Sequence, residues 1–415
     1  MAPRVAEGGT RGRGQDGVRG AAPVVRAAIS AVFDQTSRAN RILVIVLGLA
    51  VGLLAIGGIA ELRAYMPLGI DLEIPLRAAS HWSGGAPVYP AWAMQVQSGP
   101  DLPYLYPPFL LPFLAPVAGL PREAVTDAWL VLCLATAVWT CRRLGIPWAA
   151  VPFVLAWPPF AEGLITGNVQ TLCFAAFVAL LYEPGGGGER APIRRDLARP
   201  GSALADARNG ILAAAMGALK VTQVPALMYL ARRRFRAAAI GVVVLGLVCL
   251  ATLPLTGVAI YGDWLAQLRR AADPAWTIGG VSLGRWIGMP DLAMTAAGIA
   301  LALAVRGRDS VAWLGIAMIV ASPSVHGFAF LFMLPALLTL RRDLSICVAA
   351  LFLGVYNAAA WWIAFGIVIA ALVASNRWDW LRARRADDAG AGSDSSPELR
   401  DSYRSDQASL PQSAV

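Results

Sequence analysis

Apolar residues in this chain fall into long blocks, near 42–62, 106–121, 124–141, 146–162, 166–182, 209–231, 235–256, 290–306, 310–322, 326–340, 344–357 and 360–376. Most are too long for a strand, and several reach the length of a helix that crosses about 30 Å of hydrocarbon. The pattern predicts an all-α polytopic membrane protein of about twelve membrane segments. Residues 1–41, rich in Gly, Ala and Arg, precede the first block. A secretory signal would instead place a short basic region directly before its apolar core, so 1–41 reads as a disordered cytoplasmic tail. Residues 377–415 are a second such tail, Ser/Asp-rich beyond the basic Arg382-Ala383-Arg384-Arg385. The membrane domain is then 42–376.

Basic residues set the orientation. From residue 232 onward, Arg232–Arg236, Arg306/Arg308, Arg341/Arg342 and Arg377–Arg385 fall at every second junction. The positive-inside rule makes these junctions cytoplasmic. The loop 61–105, with Glu61, Asp71, Glu73 and Asp101 against Arg63 and Arg77, then lies outside. Simple alternation through the middle would put Arg142/Arg143 and the arginine-bearing stretch 183–208 outside, against the rule. A second arrangement satisfies it. The segment carrying Pro107, Pro108, Pro112, Pro116 and Pro121 becomes broken or half-spanning, and 209–231 splits into two short helices meeting at Lys220. Gly167-Asn168 and Lys220 then face outward, where irregular backbone is tolerated if it lines a cavity. Two loop segments are amphipathic: 74–82, and 261–270, where Trp and Leu alternate with Arg and Asp in the manner of an interfacial helix. Trp276 and Trp286 add headgroup-level anchors.

Composition agrees with the pattern. Hydrophobic residues make up 57% and charged residues 15% of the chain, against roughly a quarter charged in soluble proteins, and mean hydropathy is +0.58. The net charge of +9 sits at junctions and tails, which argues for topology rather than nucleic-acid binding. Cys133, Cys141, Cys173, Cys249 and Cys347 all lie in apolar runs without CxxC spacing and read as small buried hydrophobes. With only His81 and His326, histidine-rich metal chemistry is excluded.

Five local signals carry possible chemistry, all on the outer side. Asp71 and Glu73 form a carboxylate pair whose spacing keeps them off one helix face. A carboxylate at an apolar boundary can serve as a general base, and two solvated loop acids are the ordinary alternative. The stretch Pro103-Tyr104-Leu105-Tyr106-Pro107-Pro108-Phe109 offers a rigid aromatic wall at a membrane entry. Thr166-Gly167-Asn168-Val169-Gln170-Thr171 opens an apolar helix with amides suited to sugar hydroxyls, or simply caps it. Lys220, the only lysine, stands in an apolar segment where an ammonium needs an anionic partner, such as a phosphate. His326, in the break Ser322-Pro323-Ser324-Val325-His326-Gly327, is a phosphate ligand, a proton partner or a packing residue.

The order of these signals resembles the integral-membrane glycosyltransferases of the GT-C superfamily, and among them glycosyltransferase family 87. The resemblance rests on Asp71, Gly85-Ala86-Pro87-Val88-Tyr89, Tyr104-Leu-Tyr106-Pro-Pro108, Gly167-Asn-Val-Gln170, Ala218-Leu-Lys220 followed by Arg232-Arg-Arg234, and Ser322-Pro323 with His326. It covers roughly 42–376, with 183–208 as an inserted cytoplasmic linker. It implies a GT-C-type helical bundle in the plasma membrane, with both termini cytoplasmic, short extracytoplasmic surface helices and an extracytoplasmic site. The implied reaction moves a sugar, mannose by preference, from a polyprenyl-phosphate carrier to a cell-envelope glycolipid or glycan, with inversion. Asp71 would be the general base. Lys220 and His326 would neutralise the departing phosphate, and Asn168 and Gln170 would orient the sugar. Tyr104, Tyr106, Glu73 and Arg77 are further substrate-side candidates. No metal or cofactor is required on this reading, because Lys220 and Arg77 can offset phosphate charge. An arabinofuranosyltransferase of the same family, a transporter or lipid-carrier flippase, and a non-catalytic scaffold are the rival readings.

Overall fold

The computed structural model describes residues 67–375 apart from 97–98, 100, 184–192, 195–201, 274–279, 281, 307–308, 324, 341 and 354–358, with Leu53, Gly57 and Ala60 before them. Both tails, Trp276, nearly all of the first apolar block and most of 183–208 lie outside the described residues. The chain divides into two units, 1–56 and 57–415, and every helix from Ile70 onward belongs to the second.

Helices account for almost all of the described structure. They are α1 (Ile70–Ser83), α2 (Leu111–Ala118), α3 (Arg122–Arg143), α4 (Val151–Leu155), α5 (Pro158–Thr166), α6 (Gln170–Leu181), α7 (Ala203–Leu219) and α8 (Val224–Arg233). They continue with α9 (Phe235–Thr256), α10 (Ala259–Ala271), α11 (Leu283–Ile287), α12 (Asp291–Ala304), α13 (Ser310–Val320), α14 (Leu334–Thr339) and α15 (Arg342–Ala350), then α16 (Ala359–Ser375). One two-residue antiparallel pair, Tyr182–Glu183 with Ile193–Arg194, sits in the 183–208 stretch. The surface helices expected near 74–82 and 261–270 are α1 and α10.

Among the described residues, two helices are long and apolar enough to cross a membrane, α3 and α9. The bent pair Trp148–Leu155 and Pro158–Thr166, meeting at 70°, makes a third if counted as one span. The dozen segments expected from hydropathy are therefore mostly shorter helices, and proline and glycine explain why. Pro152, Pro159 and Pro225 sit in the first turns of α4, α5 and α8, where the missing N–H costs nothing but the preceding helix must already have stopped. Gly167 closes α5 in the left-handed region at φ 68°, the usual glycine C-terminal signal. The chain also breaks at Lys220, between α7 and α8, as the second arrangement requires.

Side-chain contacts sort the helices by end. Arg122 at the start of α3 pairs with Glu73 in α1 at 3.0 Å. At the finish of α3, Arg143 donates to the Tyr182 carbonyl, beyond the far end of α6, at 2.7 Å. Over 22 residues α3 therefore runs about 33 Å from one end of the bundle to the other. Arg234 pairs with Asp206 at 2.8 Å, joining the start of α7 to the start of α9. Arg233 donates to the Val305 carbonyl at 3.1 Å, and Tyr229 to Ser310 Oγ at 3.3 Å. Among the described residues, Arg143, Arg233 and Arg234 thus gather at one end, and Asp71, Gly167, Lys220 and His326 at the other. By contrast α2 packs along α1, and the chain is back beside Glu73 by Arg122, so the proline-rich segment does not cross.

Helix pairs close on small residues, as expected where lipid removes the hydrophobic drive to associate. A Cβ on Gly210 of α7 would run into the Ala237 carbonyl of α9, and one on Gly298 of α12 would stand 2.6 Å from the Ala321 Cβ. The interior holds edge-on aromatic contacts, Phe332 with Phe174 and Phe177, and Phe330 with Phe352 and Trp362. Val131, Leu132, Leu134 and Trp139 of α3 and Val242, Val243, Leu247 and Leu250 of α9 stay exposed, a surface suited to lipid. Three of the cysteines are buried as expected, but Cys249 is half-buried and Cys347 exposed, because α9 and α15 turn those faces outward.

Candidate functional site

Two glycines back to back build the site. Gly69 precedes α1 at φ 74° and Gly167 follows α5 at φ 68°, and a Cβ on Gly167 would lie 3.3 Å from the Gly69 Cα. The Gly69 N–H donates to the Ile165 carbonyl at 2.9 Å, and Trp129 of α3 donates its indole N–H to the Gly167 carbonyl at 2.7 Å. A side chain at Gly167 would press on the Gly69 backbone and Trp129, one at Gly69 would run into the Thr126 side chain, and both positions are left-handed. Their approach brings the first turn of α1 against the α5–α6 turn.

Asp71 projects from that first turn, and Asn168 Nδ2 donates to its Oδ2 at 2.8 Å. Asn168 Oδ1 meanwhile accepts the Gln170 N–H at 2.8 Å, capping α6 in the way asparagine caps helices. Both ends of the Asn168 amide are therefore engaged, which aims one carboxylate oxygen and fixes the turn. Glu73 lies elsewhere and pairs with Arg122. Arg77 pairs with Asp101 at 3.0 Å on an exposed face. The structure does not bring either into contact with Asp71.

The tyrosines form a ladder leading to the carboxylate. Tyr89 and Tyr104 stand 5.6 Å apart centre to centre, and Tyr104 and Tyr106 5.5 Å. Tyr106 is close enough to Asp71 to feel its charge. Tyr89 donates to the Tyr106 carbonyl at 2.7 Å, and burial holds its phenol well above the ordinary range, so it stays a donor. Trp264 of α10 ties down the next rung by donating to the Leu105 carbonyl at 3.0 Å.

Across from Asp71, Lys220 at the α7–α8 break places its ammonium 4.7 Å from the centre of the Phe328 ring, a cation–π distance. The His326 ring stacks on Phe328 at 5.2 Å. Asp71, Glu162 and Cys173 all interact electrostatically with Lys220, and His326 with Asp71 and Lys220, so Asp71, Lys220 and His326 share one corner. Among the described residues, no group of three or more His, Cys, Asp or Glu has the arrangement to hold a metal ion.

Sequence reasoning missed Glu162 and Phe328. Glu162 in α5 is 5% exposed, and the backbone N–H groups of Gly327 and Phe328 hydrogen-bond to its carboxylate. A Cβ on Gly327 would collide with Glu162 Oε2. The signal was available: Glu162 is the one carboxylate inside the 146–162 apolar block, and a carboxylate at membrane depth is costly unless used. Phe328 carried no signal beyond its apolarity.

No curated protein and no solved structure gives a significant match to this chain. The family model for glycosyltransferase family 87 matches residues 104–340. That span takes in Tyr104, Tyr106, Glu162, Asn168, Gln170, Lys220 and His326, with Asp71, Glu73 and Arg77 before it. Since the match covers more than half of the 415 residues, the chain belongs to glycosyltransferase family 87 and is a glycosyltransferase with membrane-capable helices.

Proposed function

We propose that the enzyme transfers a sugar, mannose by preference, from a polyprenyl-phosphate carrier to a cell-envelope glycolipid or glycan on the extracytoplasmic face. The hydrogen bond from Asn168 to Asp71 Oδ2, facing Lys220 and His326 in one half-buried corner, carries the reading. The acceptor oxygen attacks the anomeric carbon from the side opposite the phosphate. The carbon–oxygen bond to phosphate breaks, its electron pair leaves with the phosphate, and the acceptor proton passes to Asp71, giving inversion. Lys220 and a hydrogen bond from His326 stabilise charge growing on the leaving phosphate, which is the chief contribution of a preorganised site. Asn168 holds the base in place, and Gln170 faces the sugar. The exposed Arg77 would meet the phosphate as it enters, and the Tyr104–Tyr106 wall would line that approach. The arginine-rich end is placed in the cytoplasm, with both termini, by the positive-inside rule.

The test is turnover of synthetic polyprenyl-phosphomannose, and of the arabinofuranose analogue, by purified enzyme with envelope glycolipid extract as acceptor. Asp71→Asn should lower turnover at least a hundredfold with the fold intact, in line with the roughly 100–10,000-fold typical of general base catalysis. Unchanged turnover in Asp71→Asn removes the base assignment, and wild-type inactivity on both donors overturns the reading.

A further inference from the structure

Three buried oxygens in the Asp71 corner have no hydrogen-bond partner among the described residues: Thr166 Oγ1, Gln170 Oε1 and Thr171 Oγ1. The three residues are 2%, 2% and 1% exposed. All three flank the Gly167–Asn168 turn that holds Asp71. Thr166 closes α5, Gln170 and Thr171 open α6, and Thr171 Oγ1 faces Gly163, next to Glu162 and 3.2 Å from where a Cβ on Gly163 would stand.

A buried oxygen left without a partner costs about 1–3 kcal/mol. A helical threonine has a ready remedy, since its hydroxyl can turn to the carbonyl four residues back. Elsewhere in this chain threonines take it: Thr140 bonds Thr136, Thr252 bonds Val248, Thr256 bonds Thr252 and Thr295 bonds Asp291. Thr166, the last residue of α5, does not, and Thr171, the second residue of α6, has at that spacing only the left-handed Gly167, whose carbonyl accepts from Trp129. Both hydroxyls are left without a partner beside Gln170 Oε1, at the turn that holds Asp71, which marks a place for a partner from outside the chain.

The chemistry narrows the partner. Gln170 Oε1 only accepts, so the ligand must donate a proton to it, which a phosphate dianion or a lipid tail does not do. A threonine hydroxyl both donates and accepts, and so does a sugar hydroxyl. We propose that Thr166 and Thr171, with Gln170, form a polyhydroxyl subsite that receives the hydroxyls of the donor sugar between Asp71 and Lys220. The subsite rests on the proposed transfer reaction and adds Thr166 and Thr171 as specificity residues.

The replacements Thr166→Val, Thr171→Val and Gln170→Met remove the unpartnered atoms while keeping the volume nearly constant. Each variant is compared with wild type for melting temperature, and for affinity towards polyprenyl-phosphomannose and bare polyprenyl phosphate. Wild type should bind the glycosylated carrier more tightly. Each variant should lose about tenfold of that difference, keep its affinity for the bare phosphate, and melt at or above the wild-type temperature, because no internal bond is lost. A variant that melts lower or fails to fold shows that its oxygen has an internal partner and overturns the subsite. So does a wild type that binds both carriers equally, or variants that keep the full difference. Wild type binding neither carrier removes the transfer reading and the subsite together, whereas variants indistinguishable from a discriminating wild type remove the subsite alone.

Discussion

Asn168 and Asp71 lie 97 positions apart in the chain and are joined by a hydrogen bond of 2.8 Å. The same asparagine caps α6 through its other amide atom. The orientation of the carboxylate is therefore tied to the start of a buried helix, and it depends on the two glycines that let α1 and the α5–α6 turn meet.

Replacing Asn168 separates these roles. Asn168→Ala removes both bonds and should lower kcat by about 10–100-fold, the range seen when a group orienting a reactive residue is lost. It should also cost about 1 kcal/mol of stability through the missing cap. Asn168→Ser can still cap α6 but cannot reach Asp71, so it should melt near wild type and remain as slow as Asn168→Ala. Full activity in the serine variant would show that Asp71 needs no support from this position. Steady-state kinetics and thermal melts of both variants decide it.

Gly327 offers a second handle on the site, away from Asp71. A methyl group there meets the Glu162 carboxylate and lies 3.1 Å from Trp361 Cη2. The neighbouring Phe328 carries Lys220 on its face and His326 against its ring, so a displaced Gly327 moves Lys220 and His326. Gly327→Ala should cost about 1–3 kcal/mol, as overpacking of a filled interior does, and should weaken affinity for bare polyprenyl phosphate. A variant with wild-type affinity would show that Lys220 and His326 are held independently of Glu162.

The elements legible in the sequence were those with a strong local cause. Runs of apolar residues gave helices, the arginines separated one end of the bundle from the other, and the isolated Lys220 marked a break between two short helices. The number of full spans was not legible. Hydropathy does not show where Pro152, Pro159 and Pro225 end one helix and start another, nor that α2 folds back beside α1. In the site, Asp71, Asn168, Lys220 and His326 stood out as polar residues in apolar or loop settings. Their mutual contacts, and the partnership of Glu162 with the Gly327 and Phe328 amides, depend on approaches between distant segments that no local pattern encodes. Glu73 and Arg77, equally conspicuous in the sequence, are occupied with Arg122 and Asp101.

The Asp206–Arg234 pair should matter more than surface pairs do. Both side chains are 11% exposed, and removing one partner of a buried ion pair leaves an uncompensated charge, at roughly 3–5 kcal/mol. Asp206→Asn and Arg234→Met should each melt well below wild type, while the double variant Asp206→Leu/Arg234→Met should recover most of the loss. If the double variant is as unstable as the singles, the pair contributes through contacts other than its charges.

The sorting of charged groups predicts which residues each side of the membrane can reach. Ser83 is the exposed last residue of α1, the helix that carries Asp71 in its first turn, and Ser202 caps α7 beside the Asp206–Arg234 pair. In a Cys347→Ser background, which removes the exposed native thiol, Ser83→Cys should react with a membrane-impermeant maleimide on intact cells. Ser202→Cys should react only after permeabilisation if the arginine-rich end faces the cytoplasm, as the proposed orientation requires. Labelling of Ser202→Cys on intact cells together with protection of Ser83→Cys would invert the bundle and place the transfer reaction on the cytoplasmic side. Labelling of both would mean that α7 and α1 open to the same face, against the end-to-end course of α3.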